Sequence, residues 1–337
     1  MKKTILITGG TGYIGSHAVV AFEQAGYTTV IVDNLSNSSE QVLSKIGKIL
    51  GYIPDFHKAD ICDTKALDEV FSKHGFDGVI HFAGLKAVGE SCEKPFLYYG
   101  NNILGSINLF EAMVRYKVRR IVFSSSATVY SSDNTLPLTE SSKLGTTNPY
   151  GTSKLVIENV LQDLSLHASL QALPLRYFNP IGAHPSGHIG EKPNGVPNNL
   201  LPYILDVALG KREKVRVFGD DYPTIDGTGV RDYIDVNDLV DAHIAAYRKL
   251  EEISGDTNGS FTPVNIGTGR GTSVLEMIRM TEEATGKKVA FEKVGRRSGD
   301  LAEVYAGVDF AKEFLGWESE KTVKEGIESG WKFISGV

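Results

Sequence analysis

Tyr150 and Lys154 stand four residues apart, and the run Ser124-Ser125-Ser126 ends 24 residues before the tyrosine. On a helix that i, i+4 spacing sets phenol and ammonium on one face, a turn apart. A hydroxyl, a phenol and an ammonium around a substrate alcohol can take its proton while hydride leaves the adjoining carbon. Such a set needs a hydride acceptor, and the N-terminus offers a place for one. Gly9, Gly12 and Gly15 give G-x-x-G-x-x-G directly after the apolar run Thr4–Thr8 and open a helical pattern. Glycine there permits a tight turn and a close approach of backbone to a pyrophosphate, while the helix N-terminus supplies free N–H groups. Asp33 follows Gly15 by 18 residues, at the end of a second apolar run. A carboxylate there accepts from adenine-ribose hydroxyls and repels a 2′-phosphate. Asn34 comes next, not an arginine, so the reading is NAD over NADP.

A tyrosine titrates near ~10, too high for a base at neutral pH. Lys154 and a positive nicotinamide both favour phenolate, and a ~3-unit drop needs about 4 kcal/mol of differential stabilisation. Presence alone carries little weight. A chain with 14 tyrosines gives about one Tyr-x-x-x-Lys by accident, and a snorkelling lysine on an amphipathic helix is the plain alternative. Placement decides, because the serines end a predicted strand at the carboxyl edge, where open α/β sheets bind ligands.

The elements that must position these residues alternate. Strands are expected at Thr4–Thr8, Thr28–Asp33, Asp55–Lys58, Asp77–Phe82, Arg119–Ser125 and Leu173–Phe178, with helices at Tyr13–Ala25, Thr64–Lys73, Leu97–Tyr116 and Pro149–Leu166. Runs such as ILIT, VIVD and VIHF are apolar throughout, as strands covered on both faces are. Strand–helix alternation implies right-handed βαβ units. The fold class is therefore α/β, a doubly wound parallel-sheet Rossmann domain over residues 1–178. A smaller mixed α/β lobe is expected over 179–337, with about 232–266 returning to the first domain. Asn179–Asn199 and Gly219–Gly229 carry no periodicity. Loops of that length are usually functional or disordered. Helices are expected at Asn199–Leu209, Asp235–Leu250, Val274–Ala284 and Thr322–Ile334, and strands at Val215–Phe218 and Val264–Ile266.

Composition bounds the rest. The 337 residues suggest about two domains, and 41% hydrophobic with 23% charged residues is ordinary for a globular protein. Lys plus Arg is 35 against 41 Asp plus Glu, a net charge of −6, which argues against a nucleic-acid partner. No apolar stretch nears the roughly 18 residues of a membrane span, and MKKTILITGG lacks a signal core. Cys62 and Cys92 make neither a disulfide framework nor a zinc pattern. The expectation is a soluble, cytoplasmic protein without a metal.

Together these motifs resemble the extended short-chain dehydrogenase/reductase family. His81–Ser91 (HFAGLKAVGES), Ser124–Tyr130 (SSSATVY), Leu175–His184 (LRYFNPIGAH), Pro197–Pro202 (PNNLLP) and Gly227–Ile234 (GTGVRDYI) are similar to its UDP-sugar 4-epimerases, from Lys3 to beyond Trp317. That resemblance implies interconversion of UDP-galactose and UDP-glucose. C4 is oxidised, the 4-keto sugar rotates, and it is reduced on its other face. By the same resemblance Tyr150 is the acid/base, Lys154 tunes it and holds the nicotinamide ribose, and Ser126 bonds the sugar O4. It implies NAD contacts at Gly9, Gly12, Tyr13, Ile14, Gly15, Asp33, Asn34, Asn37, Asp60, Ile61, Phe82, Ala83, Gly84, Lys86, Asn101, Ser124, Tyr177 and Phe178. The UDP-sugar would touch Lys86, Phe178, Asn179, Asn199, Leu200, Phe218, Arg231, Arg297, Asp300 and Val304. Family members commonly dimerise through two helices, here Leu97–Tyr116 and Pro149–Leu166, so a homodimer is expected by analogy.

Arg231 and Arg297 suit a pyrophosphate independently, because guanidinium donates paired N–H groups. Taken singly, each also reads as an ion pair. His184 and His188 lack a third ligand and read as loop histidines rather than a metal pair. Gly267–Gly271 reads as a turn before a helix capped by Thr272 or Ser273, not a second nucleotide loop. Two positions depart from the family. Asp235 stands where relatives often have His. Val304 stands where some members have Tyr and others a small residue, leaving room for a 2-N-acetyl group. A 4,6-dehydratase would want an Asp-Glu pair after the serines, and Ala127-Thr128 stands there. A sensing module that has lost catalysis need not keep tyrosine, lysine and serine, and all three are present.

Overall fold

The computed structural model describes residues 2–193, 195–253, 259–297 and 299–336. Its first half runs β1 (Thr4–Thr8), α1 (Tyr13–Gln24), β2 (Thr28–Asp33), α2 (Gln41–Leu50), β3 (Asp55–Lys58), α3 (Thr64–Lys73) and β4 (Gly78–His81). Then come α4 (Val88–Glu93), α5 (Pro95–Tyr98), α6 (Gly105–Arg115), β5 (Arg120–Ser126), α7 (Pro149–His167) and β6 (Gln171–Tyr177). The strands lie in the order β6-β5-β4-β1-β2-β3, each neighbouring pair parallel. The chain moves outward from β1 through β3, then crosses to β4 on the other side of β1. That reversal opens a crevice beyond the carboxyl ends of β1 and β4.

Alternation along each strand feeds two cores. Ile5 and Ile7 pack with Val19 and Phe22 of α1 on one face. Leu6, Val30 and Val32 pack with Leu67 and Phe71 of α3, Phe110 of α6 and Ile157 of α7 on the other. Each fully buried side chain of this size stabilises the fold by about 1.5–3 kcal/mol.

The second half holds α8 (Leu200–Ala208), α9 (Val236–Glu252), α10 (Val274–Thr285), α11 (Asp309–Leu315) and α12 (Val323–Ser335). Strands Ser260–Phe261 and Val264–Ile266 pair in parallel with β6 and extend the main sheet. Leu239 and Val240 of α9 join the core under α1. Helices α8, α10 and α12 enclose a separate core of Leu201, Leu205, Met277 and Ile327. Beside it Val215–Phe218 pairs with Phe291–Val294. Val230–Arg231 pairs with both Thr272–Ser273 and Glu303–Val304.

The single helix expected at Leu97–Tyr116 is broken. A π-helical turn, Tyr99–Leu104, separates α5 from α6. It points Asn102 inward, where the amide accepts from Leu85 N at 2.8 Å, donates to Leu85 O at 2.9 Å and to Ser153 Oγ at 3.1 Å. Such turns often mark functional sites. The Gly267–Gly271 turn is anchored on Asp232, which accepts from Thr268 N at 2.8 Å and Gly269 N at 3.0 Å. Of the two expected caps it is Ser273 that caps α10, in a full capping box with Glu276. No described helix is long and apolar enough to cross a membrane.

Candidate active site

The glycine loop is built by close backbone contact. Gly9 has φ +72°, and a Cβ there would lie 2.8 Å from Ala83 N, against the chain leaving β4. A Cβ on Gly15 would lie 2.1 Å from Gly9 O, so no larger residue fits. Gly12 caps α1 with no side-chain bond, leaving the first N–H groups of α1 for an anion. Asp33 ties the loop to β2, accepting from Thr11 N at 3.1 Å, Leu35 N at 2.8 Å and Ser38 Oγ at 3.2 Å. Asn34 donates to Asp60 at 2.8 Å, and Asp60 accepts from Cys62 N at 2.8 Å. Asn34, Asp60 and buried Ile61 thus gather where β2 and β3 end, with Asn37 exposed beyond them. A backbone cradle that admits only glycine, closed by a carboxylate, fits a dinucleotide.

Phe82, Ala83 and Gly84 follow β4, and the Phe82 ring packs on His243 at 4.9 Å. Tyr13 donates to Gly182 O at 2.7 Å, which joins the loop helix to the second half. Asn101 donates to Asn102 Oδ1 at 2.9 Å.

Asn148 caps α7 by accepting from Gly151 N at 2.8 Å, and Pro149 occupies the first turn. Tyr150 therefore sits at the mouth of the helix, beside the end of β5. The Ser126 hydroxyl stands beside the Tyr150 phenol and accepts from Thr128 Oγ1 at 3.0 Å. Lys154, one turn on and buried, donates to Ser124 O at 2.6 Å. Its ammonium lies 5.9 Å from the Tyr150 ring centre and 4.8 Å from that of Phe123. Tyr177 and Phe178 leave β6 alongside, both buried.

In the protein alone the Tyr150 phenol is not lowered. Burial pushes it above its ordinary value, with the Ser126 bond opposing. Lys154 is itself lowered to about 7, first by burial, with Glu158 acting the other way. Loss of solvent penalises both charged forms at once. A bound cation is what would tip the phenol toward phenolate.

Arg231, Arg297, Phe218 and Asp300 converge in the second half. The Arg297 guanidinium lies over the Phe218 ring at 4.6 Å, and its Nε donates to Asp300 at 2.9 Å. Arg231 bonds the Val230 carbonyl at 2.8 Å and has no carboxylate partner among the described residues. Burial raises the Tyr233 phenol to about 12, with Arg231 and Arg297 pulling it down. Val304 pairs in register with Arg231 and packs into a cluster with Phe178 and Ala127. Asn179 N donates to Asp232 O at 2.9 Å. Asn199 and Leu200 stand at the start of α8.

Glu191 escaped the sequence reading. It accepts from Lys86 at 3.1 Å and Asn199 at 2.6 Å through one oxygen, tying a residue expected at the cofactor to one expected at the substrate. It lies in an aperiodic loop, where spacing gives no signal. His184 bonds Ser186 at 2.8 Å. Among the described residues no three His, Cys, Asp or Glu side chains converge as metal ligands.

A profile of the NAD dependent epimerase/dehydratase family matches residues 5–267. The chain belongs to this family. It is 51% identical over 339 residues to UDP-glucose 4-epimerase 2 of Arabidopsis thaliana, covering 99% of this chain and 96% of that one. It is 50% identical over 332 residues to UDP-glucose 4-epimerase of Bacillus subtilis, covering 98% and 96%. Among solved structures, UDP-glucose-4-epimerase from Stenotrophomonas maltophila with bound NAD and formylated UDP-arabinopyranose aligns with TM-score 0.94 at 46% identity, covering 99% and 98%. The enzyme from Bifidobacterium longum in complex with NAD+ and UDP aligns with TM-score 0.93 at 44% identity, covering 99% and 98%. NAD is the family's cofactor.

Proposed function

We propose that the chain interconverts UDP-galactose and UDP-glucose, with Tyr150 as the acid/base. The observation that carries this is Tyr150 at the end of β5 beside Ser126, with Lys154 one turn behind and tied to Ser124 O, beside a glycine-only cradle in a chain about half identical to UDP-glucose 4-epimerases. Bound NAD supplies the hydride acceptor, and its positive ring favours phenolate. Gly9, Gly12 and Gly15 receive the pyrophosphate with Tyr13 and Ile14, while Asp33, Asn34, Asn37, Asp60 and Ile61 receive the adenosine. Phe82, Ala83, Gly84, Lys86, Asn101, Ser124, Lys154, Tyr177 and Phe178 line the nicotinamide end.

Ser126 bonds the sugar O4, and Tyr150 takes the O4 proton as hydride leaves C4. The product of that half-reaction is a 4-keto sugar, short of one proton and one hydride. Phe218, Arg231, Arg297, Asp300, Asn179, Asn199 and Leu200 hold the nucleotide while the ketone turns about its bond to the diphosphate. Tyr150 then returns the same proton to O4 as hydride returns to C4 from the other face of the sugar. Net consumption is zero, so a single acid/base serves both directions. The reading divides labour between residues 1–178, which hold the cofactor, and 179–337, which hold the UDP-sugar, with about 232–266 returning to the first domain. Ala127-Val129 forms a short 3₁₀ turn after Ser126 without a carboxylate, which disfavours dehydration.

The test is a coupled assay of UDP-glucose formed from UDP-galactose. Tyr150→Phe is expected to lower kcat at least ~1,000-fold while still retaining NAD, in line with loss of general acid–base catalysis. Near-normal turnover by that variant would overturn the assignment. The reading extends to a homodimer through the exposed faces of α5, α6 and α7, and to N-acetylated UDP-sugars through Val304. A reducing, cytoplasmic compartment suits the two unpaired, exposed thiols of Cys62 and Cys92.

A further inference from the structure

Tyr150, Lys154 and Glu158 recur at every fourth position of α7, and the three serines ending β5 hold one each. The Ser126 hydroxyl stands beside Tyr150, the Ser124 carbonyl accepts from Lys154, and the Ser125 hydroxyl donates to Glu158. Glu158 is 2% exposed and so is its partner Arg176 on β6. Arg176 grips both carboxylate oxygens, Nε to Oε1 at 3.1 Å and Nη2 to Oε2 at 2.6 Å. Its remaining nitrogen donates to Tyr130 Oη at 3.0 Å, and that hydroxyl donates to Asn265 at 2.6 Å. Such a buried, fully bonded carboxylate is fixed in place by its donors.

What surrounds Lys154 makes that charge matter. On its own helix it faces the neutral phenol of Tyr150 and the carboxylate of Glu158. From β5 it meets the Ser124 carbonyl and the Phe123 ring. From β4 it meets His81, which burial keeps neutral down to about 3. From β6 comes Arg176, on the far side of Glu158. Glu158 is thus the acid that offsets the burial of Lys154.

We propose that Glu158 is a positioning residue for the reaction: clamped by Arg176 and Ser125, it holds Lys154 in the ammonium form behind Tyr150 and so sets the alkaline end of the working range. This rests on Tyr150 being the acid/base. A neutral amine at position 154 gives the phenolate no support. Removing the negative charge lowers the lysine's titration, so activity should fail at lower pH.

Three variants of the full chain separate this from a purely structural role. Glu158→Gln leaves Arg176 buried and unpaired, so it should cost stability as well. Glu158→Gln with Arg176→Met removes both charges and should recover much of that stability. Glu158→Asp keeps the charge. The readouts are the pH profile of kcat/KM, the thermal midpoint, and direct titration of Lys154 by NMR of ¹³C-labelled lysine, assigned with Lys154→Met. The last needs no turnover, so it stands even if Tyr150 has another role. The lysine titration and the alkaline limb are expected to move down together by about one pH unit in the double variant and further in Glu158→Gln. Glu158→Asp should stay near the wild-type position. A Lys154 titration unmoved in the double variant would overturn the proposal, whatever happens to the thermal midpoint.

Discussion

Val304 is a residue whose volume should decide substrate breadth. It is half-buried, set in register with Arg231 and packed beside Phe178 and Ala127, so it lies between the candidate diphosphate grip and the Ser126 end of the pocket. A valine leaves space there that a phenol ring would fill. The chain is expected to turn over UDP-N-acetylglucosamine, and Val304→Tyr to lose at least ~10-fold on that substrate relative to UDP-glucose, the size of a 1–3 kcal/mol steric penalty. Steady-state rates on both sugars check it, and equal ratios in wild type and variant would remove the idea. Other residue-scale features differ in how far they could be read ahead. Tyr150, Lys154 and Ser126 meet as their spacing implied, because one helix and one strand end supply all three. The direction in which burial moves the phenol could not be read, since depth is a tertiary property. Glu158 was readable as the next i+4 position after Lys154 but was passed over, its partner Arg176 being on another strand.

At the scale of elements, β1 and β2 end where the pattern places them, because strands buried on both faces are apolar without interruption, and α3 starts where Asp63 caps it. Strands such as Val230–Arg231 and Glu303–Val304 are two residues long, too short to show any period. The π turn at Tyr99–Leu104 owes its shape to Asn102 reaching Leu85 and Ser153, contacts that exist only once α7 is in place. Helix α2 was overlooked although Leu43 and Ile46 are buried on one side. The same helices yield a prediction. Phe96 is 88% exposed, Leu104 52% and Ile107 41%, with Val114 and Leu166 also open. Spacings of eight, three and seven from Phe96 to Val114 keep an apolar stripe on one side of the α5–α6 segment. Soluble monomers rarely leave such a face uncovered. Light scattering coupled to size exclusion should give a dimer for the wild type and a monomer for Leu104→Glu with Ile107→Glu, and a wild-type monomer at micromolar concentration would contradict it.

At the scale of the whole molecule three histidines are buried neutral, and two of them, His81 and His243, bridge separate elements. His81 joins Thr8 at 2.7 Å to Ser106 at 2.9 Å. His243 bonds Leu239 O at 2.8 Å and meets the Tyr177 hydroxyl. His17 bonds Tyr13 O at 2.8 Å inside the loop helix. Burial lowers His17 and His81 to about 3 and His243 to about 4. A folded-state value below the unfolded ~6.5 means that the unfolded chain takes up protons first as pH falls. Stability from these groups is complete above ~6.5 and is lost toward 4, by up to about 4 kcal/mol per pH unit for the three. Asp235 acts in reverse. Burial raises it to about 6, so the folded chain gains its proton first and recovers about 1.4 kcal/mol per unit between roughly 6 and 4. The net slope of roughly 3 kcal/mol per unit is large against a total of about 5–15 kcal/mol. The thermal midpoint should therefore fall gently from pH 8 to 7, where the lowered Lys154 of the folded chain has yet to regain its proton, and steeply below about 5.5. His17→Gln should flatten that fall by about half, since two proton uptakes instead of three then oppose the one from Asp235. Calorimetry from pH 8 to 4.5 on both proteins decides it, and a wild-type midpoint unchanged down to pH 4.5 would mean that the buried imidazoles do not govern acid unfolding.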